Sequence, residues 1–174
     1  MKQFAVVGLA LATLVITGCD DSPTVPDNDT VVFTATLSAA NEVPAVTGPE
    51  AAATGTITIT MEVTRDSSDT ITAAEANFSG SVAGMPAASS LVMAHIHSGA
   101  AGANGGIVVD TGLLPASPIA ILNGSATLTF GDRTVAAAVA QQILDNPAAF
   151  YFNVHSVLNT GGVVRGQLVR QPGL

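Results

Sequence analysis

Residues 56–63 of this chain, TITITMEV, alternate strictly between apolar and polar side chains. Isoleucine, methionine and valine occupy every second position, and threonines and a glutamate lie between them. A period of two places all the apolar side chains on one face of an extended strand, whereas a helix would scatter them around its axis. The segment therefore predicts a half-buried β-strand, which needs a sheet around it and a core against its apolar face.

The rest of the chain offers partners for this strand as short segments separated by turns. Dipeptides such as Asn104-Gly105 and Gly161-Gly162 are typical turn signals. We predict eight strands, at residues 31–38, 56–63, 70–82, 91–97, 106–110, 119–130, 149–155 and 162–169. Short strands at this spacing are typical of an antiparallel β-sandwich or barrel.

One segment departs from the strand pattern. Residues 133–145, RTVAAAVAQQILD, are rich in alanine, and their larger apolar side chains recur near helical spacing. Asp132 is placed to cap the N-terminus of a helix, and Pro147 is placed to end it. The expected fold is an all-β antiparallel sandwich with one short helix before the penultimate strand.

Charge and cysteine content exclude several functions. The chain has 5 basic and 13 acidic side chains and a formal net charge of -8. A nucleic-acid-binding protein needs clustered lysine and arginine to neutralise phosphates, so that class is excluded. Cys19 is the only cysteine, which excludes an internal disulfide framework and a cysteine-based zinc site.

The first 18 residues have the order of a bacterial export signal. Lys2 precedes an apolar run from Phe4 to Ile16, and small residues follow. The run is shorter than the ~20 residues that span a bilayer. Residues 16–19, ITGC, resemble a lipoprotein box, in which cleavage precedes the cysteine and its sulfur receives diacylglycerol. A plain signal peptide or a short anchor, with an incidental cysteine, is the alternative interpretation.

The lipoprotein interpretation divides the chain into three parts. Residues 1–18 are the signal peptide, residues 19–30 are the lipidated Cys19 with an acidic flexible tether, and residues 31–170 form one domain. Two or three acyl chains, palmitate among them, hold a protein on a membrane more stably than one chain does. We therefore expect export across the inner membrane and lipid anchoring in the cell envelope, facing the periplasm or the surface.

Three motifs within the predicted domain resemble, in combination, the CHRD domain first described in chordin. In chain order they are Asn41-Glu42-Val43-Pro44, Ala94-His95-Ile96-His97-Ser98-Gly99, and Tyr151-Phe152-Asn153-Val154-His155 with a downstream RGQL. The resemblance implies an immunoglobulin-like β-sandwich, similar to that of copper/zinc superoxide dismutases, and it implies no established activity. A typical member also has an acidic residue near Val164, which this chain lacks beside Arg165.

All three histidines of the chain lie in these motifs, and strand alternation predicts that they share one sheet face. We expect bulky apolar residues such as Ile96 and Phe152 to point to the core. The opposite face then collects a polar set: His95, His97, His155, Tyr151, Asn153, Arg165 and Gln167.

This set has two interpretations. Imidazole nitrogens suit copper and zinc, and three histidines with an open position form a known type of zinc site, so His95, His97 and His155 are candidate metal ligands. The same residues would also form a structural polar network, because buried polar groups need hydrogen-bond partners. Three histidines and one cysteine cannot build the bridging histidine and disulfide of a dismutase, so we do not expect that activity.

Two functions therefore remain open. One is a non-enzymatic envelope module that binds another envelope protein, a glycan or a matrix component, and it has no catalytic residues. The other is a protein that binds copper or zinc through the three histidines. Asp110 is the only acidic residue near the central motif, and it is either a further ligand or a solvated charge at a strand end.

Overall fold

A computed structural model describes residues 27–173 of the chain. The expected signal peptide, Cys19 and the first residues of the tether lie outside this range. Within it, every strand pairing is antiparallel. The strands are β1 (Asp27–Ser38), β2 (Thr54–Arg65), β3 (Ile71–Ala83), β4 (Ser90–Ser98), β5 (Ile107–Asp110), β6 (Ile119–Ala120), β7 (Ser125–Thr134), β8 (Phe150–Ser156), β9 (Val164–Gln167) and β10 (Val169–Arg170), and the helix α1 (Ala137–Asp145) lies between β7 and β8.

The strands form a single sheet in the order β5-β4-β8-β9-β1-β2-β3-β7, with β6 paired to β4 and β10 paired to β1. The sheet curves into a nearly closed barrel or sandwich, which confirms the all-β antiparallel fold with one short helix. In this order β8 lies between β4 and β9, so the strands that carry the histidine motifs and the RGQL motif are neighbours. None of the described helices has the length and apolar character needed to cross a membrane.

The core lies on one face of the sheet and contains aromatic side chains, among them Phe152, which alternation predicts. Phe33, Phe78 and Phe152 are fully buried, and the rings of Phe78 and Phe152 lie 5.7 Å apart. Ala94 and Ile96 of β4 and Val154 of β8 belong to the same apolar cluster. The opposite face of β4, β8 and β9 is therefore available for polar side chains.

β1 begins earlier than the sequence predicts. Its first residues, 27–30, were expected to belong to the tether, but they pair with the end of β2 from Asp27 opposite Arg65 to Thr30 opposite Glu62. Arg65 lies 3.2 Å from the carboxylate of Asp29, and such a contact holds a polar strand end in place. Apolar patterning cannot find a strand end of this kind, because it contains no apolar residue.

The helix begins later than predicted, and Asp132 does not cap it. Ala136 precedes the first helical residue and offers no side-chain hydrogen bond. Arg133 and Thr134 instead extend β7 and pair with β3, because pairing across the sheet overrides local helix propensity. The predicted strand at 119–130 is likewise two strands, β6 and β7, with a turn at Asn123-Gly124 between them.

A register shift near the start of β4 changes one predicted orientation. Alternation alone puts Leu91 on the same face as the histidines, but Leu91 is fully buried in the core. The pairing of β4 with β8 shifts between Leu91 and Met93 and is regular from Met93 to Ser98. The extra residue flips the start of the strand and leaves the histidines on the predicted face.

Candidate metal centre

The three histidines lie on the face of β4 and β8 opposite the core. In the β4–β8 register, His95 is opposite Asn153 and His97 is opposite Tyr151. β9 extends this face, with Arg165 opposite Asn153 and Gln167 opposite Tyr151. We call the resulting surface the polar face, formed by His95, His97, Tyr151, Asn153, His155, Arg165 and Gln167. All seven residues predicted from alternation are therefore brought together.

The polar face is buried beneath three segments, which we call the covering segments: residues 39–47, 99–106 and 157–163. Each one makes hydrogen bonds to polar-face side chains. His95, His97 and His155 are only 4%, 8% and 6% exposed, and Arg165 is 2% exposed. Buried polar groups require hydrogen-bond partners or a ligand, so each ring nitrogen on this face should have one or the other.

The ring nitrogens of the three histidines converge. One nitrogen from each of His95, His97 and His155 lies within 4.8 Å of the others. Nδ1 of His95 is 3.3 Å from Nε2 of His155, and the ring of His97 is 5.6 Å from that of His95 and 6.0 Å from that of His155. No other group of three or more histidine or acidic side chains in the described range converges in this way.

Hydrogen bonds to backbone carbonyls fix the tautomers of two of these rings. Nδ1 of His97 donates to the carbonyl of Gly105 at 3.0 Å, and Nδ1 of His155 donates to the carbonyl of Thr160 at 2.9 Å. A carbonyl oxygen only accepts, so both Nδ1 atoms carry the proton, and in a neutral ring Nε2 then carries the lone pair. Both rings thus turn a basic nitrogen toward the cluster.

Burial keeps all three imidazoles neutral. Burial, together with the neighbouring His155 and His97, lowers the pKa of His95 to about 4, while Asp110 opposes the shift. Burial also lowers the pKa of His97 and of His155, against the opposing effect of their carbonyl hydrogen bonds. A neutral imidazole is the form that binds a metal, so the environment preserves the lone pairs at neutral pH.

Tyr151 is stacked between His97 and Arg165. The His97 and Tyr151 rings are nearly parallel at 5.0 Å, and the guanidinium carbon of Arg165 lies 4.8 Å from the Tyr151 ring centre. The Tyr151 hydroxyl accepts a hydrogen bond from the backbone N–H of Gly105 at 3.2 Å. The stack holds the His97 ring at a fixed angle, since both Tyr151 and the loop that carries Gly105 are themselves held in place.

Arg165 connects two of the covering segments to β9. Its Nε donates to the carbonyl of Asn41 at 2.6 Å, and its Nη1 donates to the carbonyl of Ala103 at 3.3 Å and to Oδ1 of Asn104 at 2.8 Å. The side-chain amide of Gln167 likewise donates hydrogen bonds to three backbone carbonyls, one of which belongs to Gly99. Arg165 and Gln167 therefore position the loops over the histidines, and Nη2 of Arg165 is a buried donor without a hydrogen-bond partner among the described residues.

The acidic partner of Arg165 comes from the first motif and not from the position near Val164. Oε2 of Glu42 lies 3.9 Å from Nε of Arg165, and the Glu42 side chain is buried. Burial raises the pKa of Glu42 to about 7, although Arg165 opposes the shift. The first motif contains Glu42, but Glu42 lies in a loop. Strand alternation does not apply there, so the sequence could not assign it a partner.

A second buried carboxylate, Glu50, supports the loop that holds His155. Glu50 is 0% exposed and accepts hydrogen bonds from the hydroxyls of Ser89 and Ser156 and from the side-chain amide of Asn159. Asn159 immediately precedes Thr160, whose carbonyl accepts from His155. No local sequence pattern identifies Glu50, because it lies in a single 3-10 turn and its partners are distant in the chain.

Asp110 lies at the end of β5, opposite His95. Its carboxylate is 3.8 Å from Nε2 of His95 and accepts a hydrogen bond from the N–H of Gly112 at 2.7 Å. The side chain is 59% exposed, so it is a partly solvated charge beside the cluster. A carboxylate facing the outer nitrogen of a histidine is a common arrangement behind metal ligands.

The geometry defines an antiparallel β-domain with a buried three-histidine cluster beneath its covering segments. A family model described as the CHRD domain matches residues 33–168, which is most of the described range, and the chain belongs to that family. No curated protein and no solved structure matches the chain.

Proposed function

We propose that this protein is a lipid-anchored envelope protein whose CHRD domain binds one copper or zinc ion through His95, His97 and His155. The observation that carries the proposal is the convergence of three buried, neutral imidazoles within 4.8 Å. Metal-binding histidines commonly donate their other ring N–H to a carbonyl or face a carboxylate. Here the outer nitrogens meet the carbonyls of Gly105 and Thr160 and the carboxylate of Asp110.

The spacing of the closest nitrogen pair and the burial of the nitrogens support a metal site, and the third nitrogen lies within 4.8 Å of the other two. Two tetrahedral ligands at about 2.0–2.1 Å from one zinc lie about 3.3–3.4 Å apart. The His95 and His155 nitrogens are 3.3 Å apart; without metal, Nδ1 of His95 donates a hydrogen bond to Nε2 of His155, and a bound ion would replace that proton. Nε2 of His97 is buried, with under 1 Å² of exposed area and no hydrogen-bond partner among the described residues.

When bound, a copper or zinc ion at three imidazoles supplies a Lewis-acidic centre with an open position. The chain's own residues fix the tautomers of His97 and His155, and the covering segments shield the three rings from solvent. No acid–base pair among the described residues adjoins the cluster in a catalytic arrangement, and we propose a binding role and no reaction.

The decisive experiment is metal analysis of the untagged full-length protein, purified in detergent, followed by copper and zinc titration. We expect one ion per chain and a rise in Tm on metal addition, since a ligand that binds only the folded state stabilises it. The test variant is the double substitution His97→Asn and His155→Asn. An asparagine amide can still donate to the carbonyls of Gly105 and Thr160, but it removes both Nε2 ligands.

The double variant is expected to fold and to bind less than a tenth of the wild-type metal under matched conditions. Its circular dichroism in a chelator serves as the folding control. A wild-type protein that binds no stoichiometric metal would contradict the proposal, and so would equal uptake by the double variant. In either case, the histidines would be part of a structural network, and the domain a metal-free module that binds an envelope protein or a glycan.

The membrane anchor rests on the sequence of residues 1–19 and has its own test. Cys19→Ser removes the only sulfur that lipidation requires. We expect the wild-type chain to incorporate labelled palmitate and to sediment with membranes, and the variant to lose the label. Label retained by the variant, or absent from the wild type, would leave a plain signal peptide or an uncleaved anchor as the explanation.

A further inference from the structure

Met93 lies on the same side of β4 as the polar face, and packing in the core does not explain its position. Met93 is half-buried, and it is absent both from the buried core cluster and from the partly buried apolar residues that pack on that cluster in the described range. Met61 and Met85, in contrast, both belong to the core. A methionine outside the core and two residues before His95 places a thioether next to polar side chains.

Strand register puts Met93 beside the histidine cluster. It lies directly opposite His155 in the β4–β8 pairing, and it is two residues before His95 on the same strand. The pairing is regular from Met93 onward, and the intervening Ala94 is in the core, so Met93 and His95 share a face. Directly opposite side chains have Cβ atoms about 4.5–5.5 Å apart, which is within reach of a flexible methionine.

The neighbours of Met93 are the two rings whose nitrogens approach most closely. Nδ1 of His95 and Nε2 of His155 are 3.3 Å apart, and Met93 adjoins both of these residues. His97 lies on the other side of His95 along β4. Strand register thus places Met93 next to this pair, and a fourth protein ligand from this position would be a soft thioether sulfur.

We infer that Met93 is a thioether ligand of the three-histidine site and that the preferred metal is copper(I). The inference rests on the proposed function, because it assigns a further ligand to that site. Thioether sulfur is soft and selects copper(I), whereas zinc takes nitrogen, carboxylate oxygen or thiolate sulfur. The predicted domain at residues 31–170 contains no cysteine, and the proposed lipid anchor uses the thiol of Cys19. Sulfur can therefore come only from a methionine.

The test is copper(I) affinity, measured anaerobically by competition with a chromophoric copper(I) chelator, on the untagged full-length protein. Met93→Leu keeps an apolar side chain of similar volume and removes the sulfur. We expect its copper(I) affinity to fall roughly tenfold or more and its zinc affinity to stay within about twofold of wild type. Met85→Leu is the matched control, because it removes a thioether from the core.

X-ray absorption at the copper edge gives a second readout. A copper–sulfur path is expected in wild type and in Met85→Leu and should vanish in Met93→Leu. The inference is overturned if Met93→Leu binds copper(I) as wild type does, if Met85→Leu loses as much, or if zinc affinity falls equally. Those results would leave the three-histidine site intact, whereas metal retained by the His97→Asn and His155→Asn variant would overturn the proposed function itself.

Discussion

Arg165→Ala is expected to lower the free energy of unfolding by about 3–5 kcal/mol, the range for breaking a buried charged network. The guanidinium makes three hydrogen bonds to residues of the covering segments and lies over the ring of Tyr151. Its loss leaves the carbonyls of Asn41 and Ala103 without that donor. It also removes the opposing charge from Glu42, whose pKa burial already raises to about 7, so Glu42 becomes protonated in the variant.

Urea unfolding of the metal-free protein at pH 7 measures this effect. Arg165→Lys keeps the charge but cannot reproduce the forked geometry or the stacking, so it should recover only part of the loss. Arg170→Ala is the control, because Arg170 is exposed and such substitutions usually change stability by under about 0.5 kcal/mol. Equal midpoints for Arg165→Ala and Arg170→Ala would show that the covering segments are held by other contacts.

Glu50→Ala is expected to be similarly costly. The substitution leaves three donors in a buried site without their acceptor: the hydroxyls of Ser89 and Ser156 and the amide of Asn159. A buried donor without an acceptor costs about 1–3 kcal/mol, and the three costs are not additive. A total loss of about 3–5 kcal/mol is therefore expected, with a weaker metal affinity because the Thr160 carbonyl loses its support.

One further variant separates the charge of Glu50 from its shape, and a second serves as the surface control. Glu50→Gln keeps the volume and one carbonyl acceptor, so its loss of stability should be smaller than that of Glu50→Ala. Glu75→Ala removes an exposed carboxylate from β3 and is expected to change stability by under about 0.5 kcal/mol. Thermal unfolding of all three proteins in a chelator makes the comparison. If Glu50→Ala unfolds at the wild-type Tm, the buried network has no structural role.

Alternation along the strands was enough to predict most of the fold and the composition of the polar face. His95 and His97 are separated by one residue, as are Tyr151 and Asn153, so a period of two puts each pair on one face. The extra residue near Leu91 did not disturb this prediction, because the register shift precedes the histidines.

The sequence could not predict what covers the polar face. Glu42 and Glu50 lie in irregular segments, whose position depends on contacts with β9 and with the loop after β8. Such contacts form between residues far apart in the chain, and a local pattern carries no information about them. The same applies to the start of α1, where pairing of Thr134 with Glu75 overrides a helical composition.

The position of β8 and β9 in the sheet also determines the order in which the molecule can be assembled. Asn41 and Arg165 are 124 residues apart, and His95 and His155 are 60 residues apart. Contacts of such long range close large loops, so they cost entropy before they give stability, and they slow folding. Until the last strands arrive, β1 and β4 each have an open edge, which is where growing chains pair wrongly with one another. The histidine cluster therefore forms only after β8 has joined the sheet, and a metal bound there would report that β4 and β8 have paired.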